Sequence, residues 1–401
     1  MGVRLPPLAP SLHNTLHFFS VLPVCEDGQL YFNRAWSRLT FAYIFNSFMS
    51  VICISSIRNI MFSYEFQFLE FSADCESAGI SLSDSGGNVF FQGSYVPDET
   101  GTITLYDINE IVDSFIGNAT KADIRLKCTD LASGLVYSYS TTVLRSSVAY
   151  SITASDFLSS HFLTSSDDIR YTSASRYEYL NLFTTIHEAV TADVIGLDSG
   201  GDILRQSYTI VPVGSYLPND VLGVDVSPSQ FLGDYSDFSQ ILEYTVRCGN
   251  RKQRYIVKPD EASDPAIAYR NRFNVWDTFY FSGTKESDPQ FDRSQAWING
   301  QYLTYDVKEV MQFKAMTGIA VPGMEEYLHD IARSPEVRLL DSSGAMRDLL
   351  TVMDCDLKAV NDDNALNRFT VTYRHADKVS AKSFAPVTTR IFDNSFDKSY
   401  E

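Results

Sequence analysis

Fifty acidic side chains, six histidines and six cysteines are the groups of this chain with the widest chemical reach. Three carboxylate sets stand out: Asp167-Asp168, Asp362-Asp363, and Asp234 with Asp237. Two carboxylates across a glycosidic bond can act as acid and base, and oxygens converging in a loop can hold Ca²⁺. Each set lies in a loop between predicted strands, where neighbouring acids are ordinarily just solvated. The histidines (His13, His17, His161, His187, His329 and His375) never pair at metal-ligand spacing, and His329 falls on the polar side of a predicted helix. Cys25, Cys53, Cys75, Cys128, Cys248 and Cys355 show no Cys-x-x-Cys spacing, which gives neither a zinc site nor a disulfide framework. No nucleophile elbow, phosphate loop, dinucleotide fingerprint, zincin helix or twelve-residue calcium loop is present. The expected catalytic, cofactor-binding and metal-ligating residues are therefore none, and no cofactor is expected. Trp276, Trp297, Tyr302 and Tyr305 could stack on sugars or form an interface; half-buried strand positions account for at least half of them.

The elements that would position these groups are mostly strands. Tyr (23) and Phe (27) are abundant, and Ser/Thr/Gly/Asn/Asp clusters break the chain about every eight to twelve residues, as in many short strands joined by turns. A formal net charge of −18 argues against nucleic acid as a partner, because phosphate binding needs a basic surface.

A tandem repeat orders the chain. Asp84-Ser85-Gly86-Gly87 returns as Asp198-Ser199-Gly200-Gly201. Tyr64-Glu65-Phe66 is echoed at Tyr177-Glu178-Tyr179, and Ile124 to Cys128 at Tyr244 to Cys248. Short loop insertions explain the drift in offset; chance matches would scatter. In each copy the Asp is expected to cap the turn and Gly to supply positive φ. Repeat one (61–150) predicts strands at 64–71, 79–83, 89–96, 102–106, 122–129 and 135–144. Its helix over 107–116 has Asp107 as N-cap, Glu110 completing a capping box, and an apolar stripe of Ile108, Ile111, Val112 and Phe115. Repeat two (176–262) predicts strands near 177–184, 192–197, 202–211, 221–226, 241–248 and 253–258, with a short helix opened by Ser227-Pro228. Cys128 and Cys248 fall at equivalent strand positions as small buried thiols. Residues 151–175 read as a linker.

A different module spans 263–385. It opens on the aromatic strand Phe273 to Phe281, passes a polar hairpin or loop from Gly283 to Asp292, and makes a tight turn at Asn299-Gly300. A long strand to Met316 precedes a helix over 322–333 with Met324, Tyr327, Leu328 and Ile331 on one face. Strands at 336–341, 349–356 and 367–374 complete it, and 386–401 reads as a tail. The fold class is mainly β: tandem immunoglobulin-like antiparallel β-sandwich repeats followed by a smaller α+β module.

Residues 1–60 are atypical, with four arginines against two acids. The uncharged run 40–57 is short for a membrane span and too far from the N-terminus for a signal peptide. The favoured reading places the start at Met61; membrane contact follows only if residues 40–57 are a real anchor.

Over about 62–376 the module order, with Phe273-Asn-Val-Trp-Asp-Thr278 and Trp297-Ile-Asn-Gly300 in the last module, resembles virion-associated tail or baseplate proteins of bacteriophages. That resemblance implies a non-enzymatic structural protein of a virion, partnered by other tail proteins or by itself as a homo-oligomer. A bacterial surface adhesin or glycan-binding protein is the alternative, located at the cell surface, and a glycan-active enzyme with a loop-borne site is the third.

Overall fold

A computed structural model describes residues 51–165, 169–184, 188–232, 237–259, 265–321, 323–358 and 366–376. The first unit runs β1 (Val51–Cys53), β2 (Ile60–Phe62), β3 (Phe68–Ala73), β4 (Ala78–Asp84), β5 (Val89–Tyr95), β6 (Thr102–Tyr106), helix α1 (Ile108–Ile116), β7 (Lys121–Asp130) and β8 (Val136–Leu144). Its sheets have the orders β1-β3-β6 and β2-β8-β7-β4-β5. Every pair is antiparallel except β2 with β8. Strict alternation drives the packing. Ile124, Leu126 and Cys128 of β7 are buried against Ile80 and Leu82 of β4 and Leu69 and Phe71 of β3, while the intervening Arg125 and Lys127 point outward.

The second unit repeats this plan. It comprises β9 (Arg170–Ser173), β10 (Tyr179–Phe183), β11 (Val190–Leu197), β12 (Ile203–Val211), β13 (Val221–Asp225), β14 (Gln240–Cys248) and β15 (Arg251–Lys258). The sheets are β10-β13 and β12-β11-β14-β15-β9, with β9 parallel to β15 as β2 is to β8. A short parallel strand on the last strand of an otherwise antiparallel sandwich is an immunoglobulin-like arrangement, present twice in tandem. Cys128 and Cys248 sit on corresponding strands, both buried. Helix α1 and the 3-10 turn Pro228–Phe231 make corresponding connections.

The third unit is one seven-stranded antiparallel sheet. Its strands are β16 (Ala266–Arg270), β17 (Trp276–Tyr280), β18 (Lys285–Ile298), β19 (Gln301–Met316), β20 (Val337–Leu340), β21 (Met346–Asp356) and β22 (Thr370–His375). They lie in the order β17-β16-β20-β21-β22-β19-β18. Helix α3 (Met324–Arg333) covers it, burying Tyr327, Leu328 and Ile331 against Ile267, Phe279 and Val337.

Several expectations need correction. The first sandwich begins upstream of Met61: Val51, within the uncharged run 40–57, is fully buried and pairs with Ala73. Residues 1–50 and the tail 386–401 lie outside the described residues. The strand expected at 64–71 opens as a 3-10 turn, Ser63–Phe66, held by the Glu65 carboxylate on the Phe62 N–H (2.7 Å) and on Arg58 (2.6 Å). Asp107 does not cap α1 through its side chain. It takes a left-handed backbone, φ 58°, while its N–H donates to the Gln67 carbonyl (2.7 Å). Ser227 likewise makes no cap; its hydroxyl accepts from the Glu178 N–H (2.9 Å) and donates to Asp225.

Residues 151–175 do not form a linker. They hold helix α2 (Ala154–Ser160), opened by Thr153 accepting from the Asp156 N–H (3.2 Å), and then β9 of the second sandwich. Of the two readings of 283–292, hairpin or loop, the hairpin holds: residues 285–292 are the first half of β18, paired antiparallel with β19 and polar because both faces of that strand meet water.

Candidate functional site

Of the carboxylates singled out for chemistry, Asp237 alone lies among the described residues. Asp237 is exposed and accepts from the Gln206 amide (2.8 Å). Asp167, Asp168, Asp234, Asp362 and Asp363 lie outside the described residues, as do His13, His17 and His187. His329 is exposed on α3. Among the described residues no group of three or more His, Cys, Asp or Glu is placed to hold a metal ion. Burial pushes the Cys53 and Cys128 thiols up to about 12 and Cys355 to about 11, so none is primed as a nucleophile.

The repeated aspartates are structural. Asp84 Oδ1 accepts from the Asn88 N–H (2.8 Å), and Asp198 Oδ1 accepts from Gly200 and Asp202 (2.7 and 2.9 Å). In both turns the fourth residue is a glycine, at φ 89° and 88°. Asp341 builds the same device in the third unit, accepting from the Ser343 and Ala345 N–H groups (2.8 and 3.0 Å). The Asn88 side-chain amide on Asp84, and the Ser343 hydroxyl and Arg347 guanidinium on Asp341, hold these carboxyls below the usual range, with the backbone N–H groups adding to the effect.

Two features do concentrate unusual residues. The first is the joint of the three units. The β16–β17 connection, residues 271–275, enters between the sandwiches. Phe273 is fully buried against Phe62 (ring centroids 5.8 Å), Tyr150 (6.0 Å) and Phe157 (5.5 Å). Leu144, Leu158, Leu163 and Phe183 close this core, which draws on all three units and on α2. Asn274 holds the tip at φ 58° and donates to the carbonyls of Asn118 and Ala119 (2.8 and 2.9 Å). Beside it, Arg170 of β9 donates to Asp277 (2.9 Å) and pairs with Glu178 (3.2 Å), between the rings of Tyr255 and Tyr327. All three charged groups are buried. Burial works against the Arg170 charge, but Asp277 and Glu178 hold it protonated; burial raises the Glu178 carboxyl, with Arg170 opposing.

The second feature is an arm. Strand β19 pairs with β22 only over Phe313–Met316, so residues 301–312 are held by β18 alone. At about 3.3 Å per residue this two-stranded ribbon reaches roughly 35–40 Å. Its tip is the Asn299-Gly300 turn, with positive φ at both residues. Trp297 packs edge-on against Tyr302 across the ribbon (4.7 Å), yet they remain 63% and 72% exposed, and Tyr305 is 70% exposed. Phe291, Ile298, Leu303 and Val307 are also exposed. Trp276, by contrast, is half-buried under the Arg270 guanidinium (4.2 Å). The tight turn and its aromatics were readable in the sequence; the separation of the ribbon from the sheet was not.

Strand order and pairing thus define a mainly β protein of tandem immunoglobulin-like sandwiches joined to an α+β module. No protein-family model and no curated protein sequence matches the chain. Among solved structures, the tetra-tandem repeat in the extending region of a large adhesion protein is similar at 14% identity and a TM-score of 0.20, covering 66% of this chain and 69% of that one. The N-terminal four Ig domains of Dscam1 isoform 4.44 are similar at 10% identity and a TM-score of 0.13, covering 67% and 70%. At such scores the likenesses carry no argument, and the fold assignment stands on the strand order of this chain.

Proposed function

We propose that the protein is a non-enzymatic structural component of a multi-copy assembly, its arm docking on a second copy of the chain. A phage tail or baseplate is the setting favoured by the resemblance in module order. The observation that carries this reading is the arm. A lone two-stranded ribbon is marginal in water, and this one presents seven large apolar side chains, each about half to three-quarters exposed. Their combined exposed area over the two faces of the ribbon is on the order of 700 Å², near the roughly 800 Å² per partner of a standard interface when the second copy grips both faces. The fused joint supports the same role, since a scaffold that transmits load benefits from units that do not hinge.

Sedimentation equilibrium of the full chain, with the double variant Trp297→Ser/Tyr302→Ser, tests the proposal. The wild type should form a dimer or larger species at micromolar concentration, and the variant should be monomeric with an unchanged unfolding midpoint. A wild type that stays monomeric throughout would refute self-docking. The Trp297–Tyr302 pair also favours a second reading, a glycan-binding adhesin. Glycan binding by a monomeric wild type, lost in the same variant, would establish it.

A further inference from the structure

Between the second sandwich and the third unit lies a cavity of about 110 Å³, walled by β9 and its following turn, the end of β15, β17, and the start of α3. It is large enough for several waters or one small organic or inorganic ion, given roughly 10–15 Å³ of such volume per water.

Its wall is unbalanced in two ways. Arg170, 6% exposed, has Nη2 engaged by Asp277 and Glu178 but no partner for Nη1. Ser173, 2% exposed, has no partner for its hydroxyl, and the buried Nε of Arg176 has none either. Arg170 Nη1 and Arg176 Nε can only donate; the Ser173 hydroxyl and two further unpartnered wall hydroxyls, Thr172 and Tyr327, can donate or accept. The charges lean the same way. Arg170, Arg176 and Lys258 line the cavity with Glu178 as the one acid of its wall, and Arg170 already pairs with both Glu178 and Asp277. The Arg176 guanidinium lies over the Tyr280 ring (4.7 Å) and the Lys258 ammonium over Tyr171 (4.1 Å), contacts that favour these orientations. Water can answer these donors and turn its own hydrogens to the wall hydroxyls, but it brings no charge to set against the guanidinium groups. A ligand that mainly accepts and carries negative charge answers both imbalances.

We infer that this cavity binds a small oxyanion, a carboxylate or a phosphate, held by Arg170, Arg176 and Ser173. Because β9 and the start of α3 belong to different units, an occupied site ties the second sandwich to the third unit, and the joint is tighter with the anion than without it.

Scanning calorimetry of the full chain tests this in sodium chloride, sodium phosphate and sodium malonate at matched ionic strength and pH. The expected result is a saturable rise of the midpoint with phosphate or malonate above the chloride control; the one that saturates lower identifies tetrahedral or planar recognition. Arg176→Gln, at a half-exposed side chain, should leave the chloride midpoint nearly unchanged and weaken binding at least tenfold. Ser173→Ala should weaken it less, and serves alone should Arg176→Gln fail to fold. Neither oxyanion exceeding chloride, or undiminished binding by both variants, would overturn the assignment.

Discussion

Replacing Phe273 with alanine should strike all three units at once. The ring is fully buried and lies within 6.0 Å of Phe62, Tyr150 and Phe157. Truncation of a buried Phe ordinarily costs about 3–5 kcal/mol, part lost transfer energy and part the cavity left behind. This site should fall toward the upper end, because its neighbours come from a strand, a loop and a helix that cannot collapse together into the void. With an unfolding entropy of about 2.1 cal/mol/K per residue over the roughly 300 described residues, that loss lowers a single cooperative midpoint by about 5–8 °C. The separation of transitions is the sharper readout. In the wild type the shared core couples the units, so scanning calorimetry should show one endotherm. In Phe273→Ala the coupling falls, and the endotherm should broaden or split while circular dichroism at 25 °C stays native. A single sharp transition displaced by less than about 1 °C would show that the joint is a contact of convenience and that each unit is stable on its own.

Other perturbations separate parts of the same account. Gly87 and Gly201 have open space where a Cβ would stand, so Gly→Ala there should cost only the left-handed backbone, about 1 kcal/mol each. Asn at the same positions should restore most of it by chemical denaturation. Cys128, with its thiol near 12, should resist alkylation at pH 8 until the chain is unfolded, as followed by mass spectrometry. Burial raises the Glu178 carboxyl, so its contribution is present at low pH and is lost as pH rises from the ordinary carboxylate range through its folded value. Glu178→Gln should therefore gain on the wild type in midpoint as pH rises toward 7, and an advantage confined to low pH would contradict this. Asp84 and Asp341 have the opposite sign. Their contribution is present above the carboxylate range and fades on acidification, so Asp341→Asn should flatten the acid limb of the stability profile.

The sandwiches were readable because their information is local. Alternation in Ile124, Leu126 and Cys128, a repeated turn and a repeated apolar run each occupy a few neighbouring residues. The joint was not, because its information is distributed. Arg170, Glu178 and Asp277 read singly as surface charges, and only the topology places them together. Residues 151–175 carried a usable clue in Thr153 followed three residues on by Asp156, ahead of Phe157 and Leu158, but their serine content suggested a linker. The arm misled in the other direction. A strand that leaves its sheet has no inward face, so Lys285 to Asp292 lacks the apolar alternation that marks a strand.

The insertion of residues 271–275 also bears on how the chain is made. Phe62 and Leu144 belong to a core completed by Phe273 and Val275, which are synthesised well over a hundred residues later. During translation α2 and the second sandwich can cover only part of that apolar face, and the core stays incomplete until the third unit is made. Contacts of such long sequence separation form late and slowly, and an unclosed apolar face during that interval invites association with other nascent chains. The wedge that makes the mature protein one body is thus also the step on which its safe assembly waits.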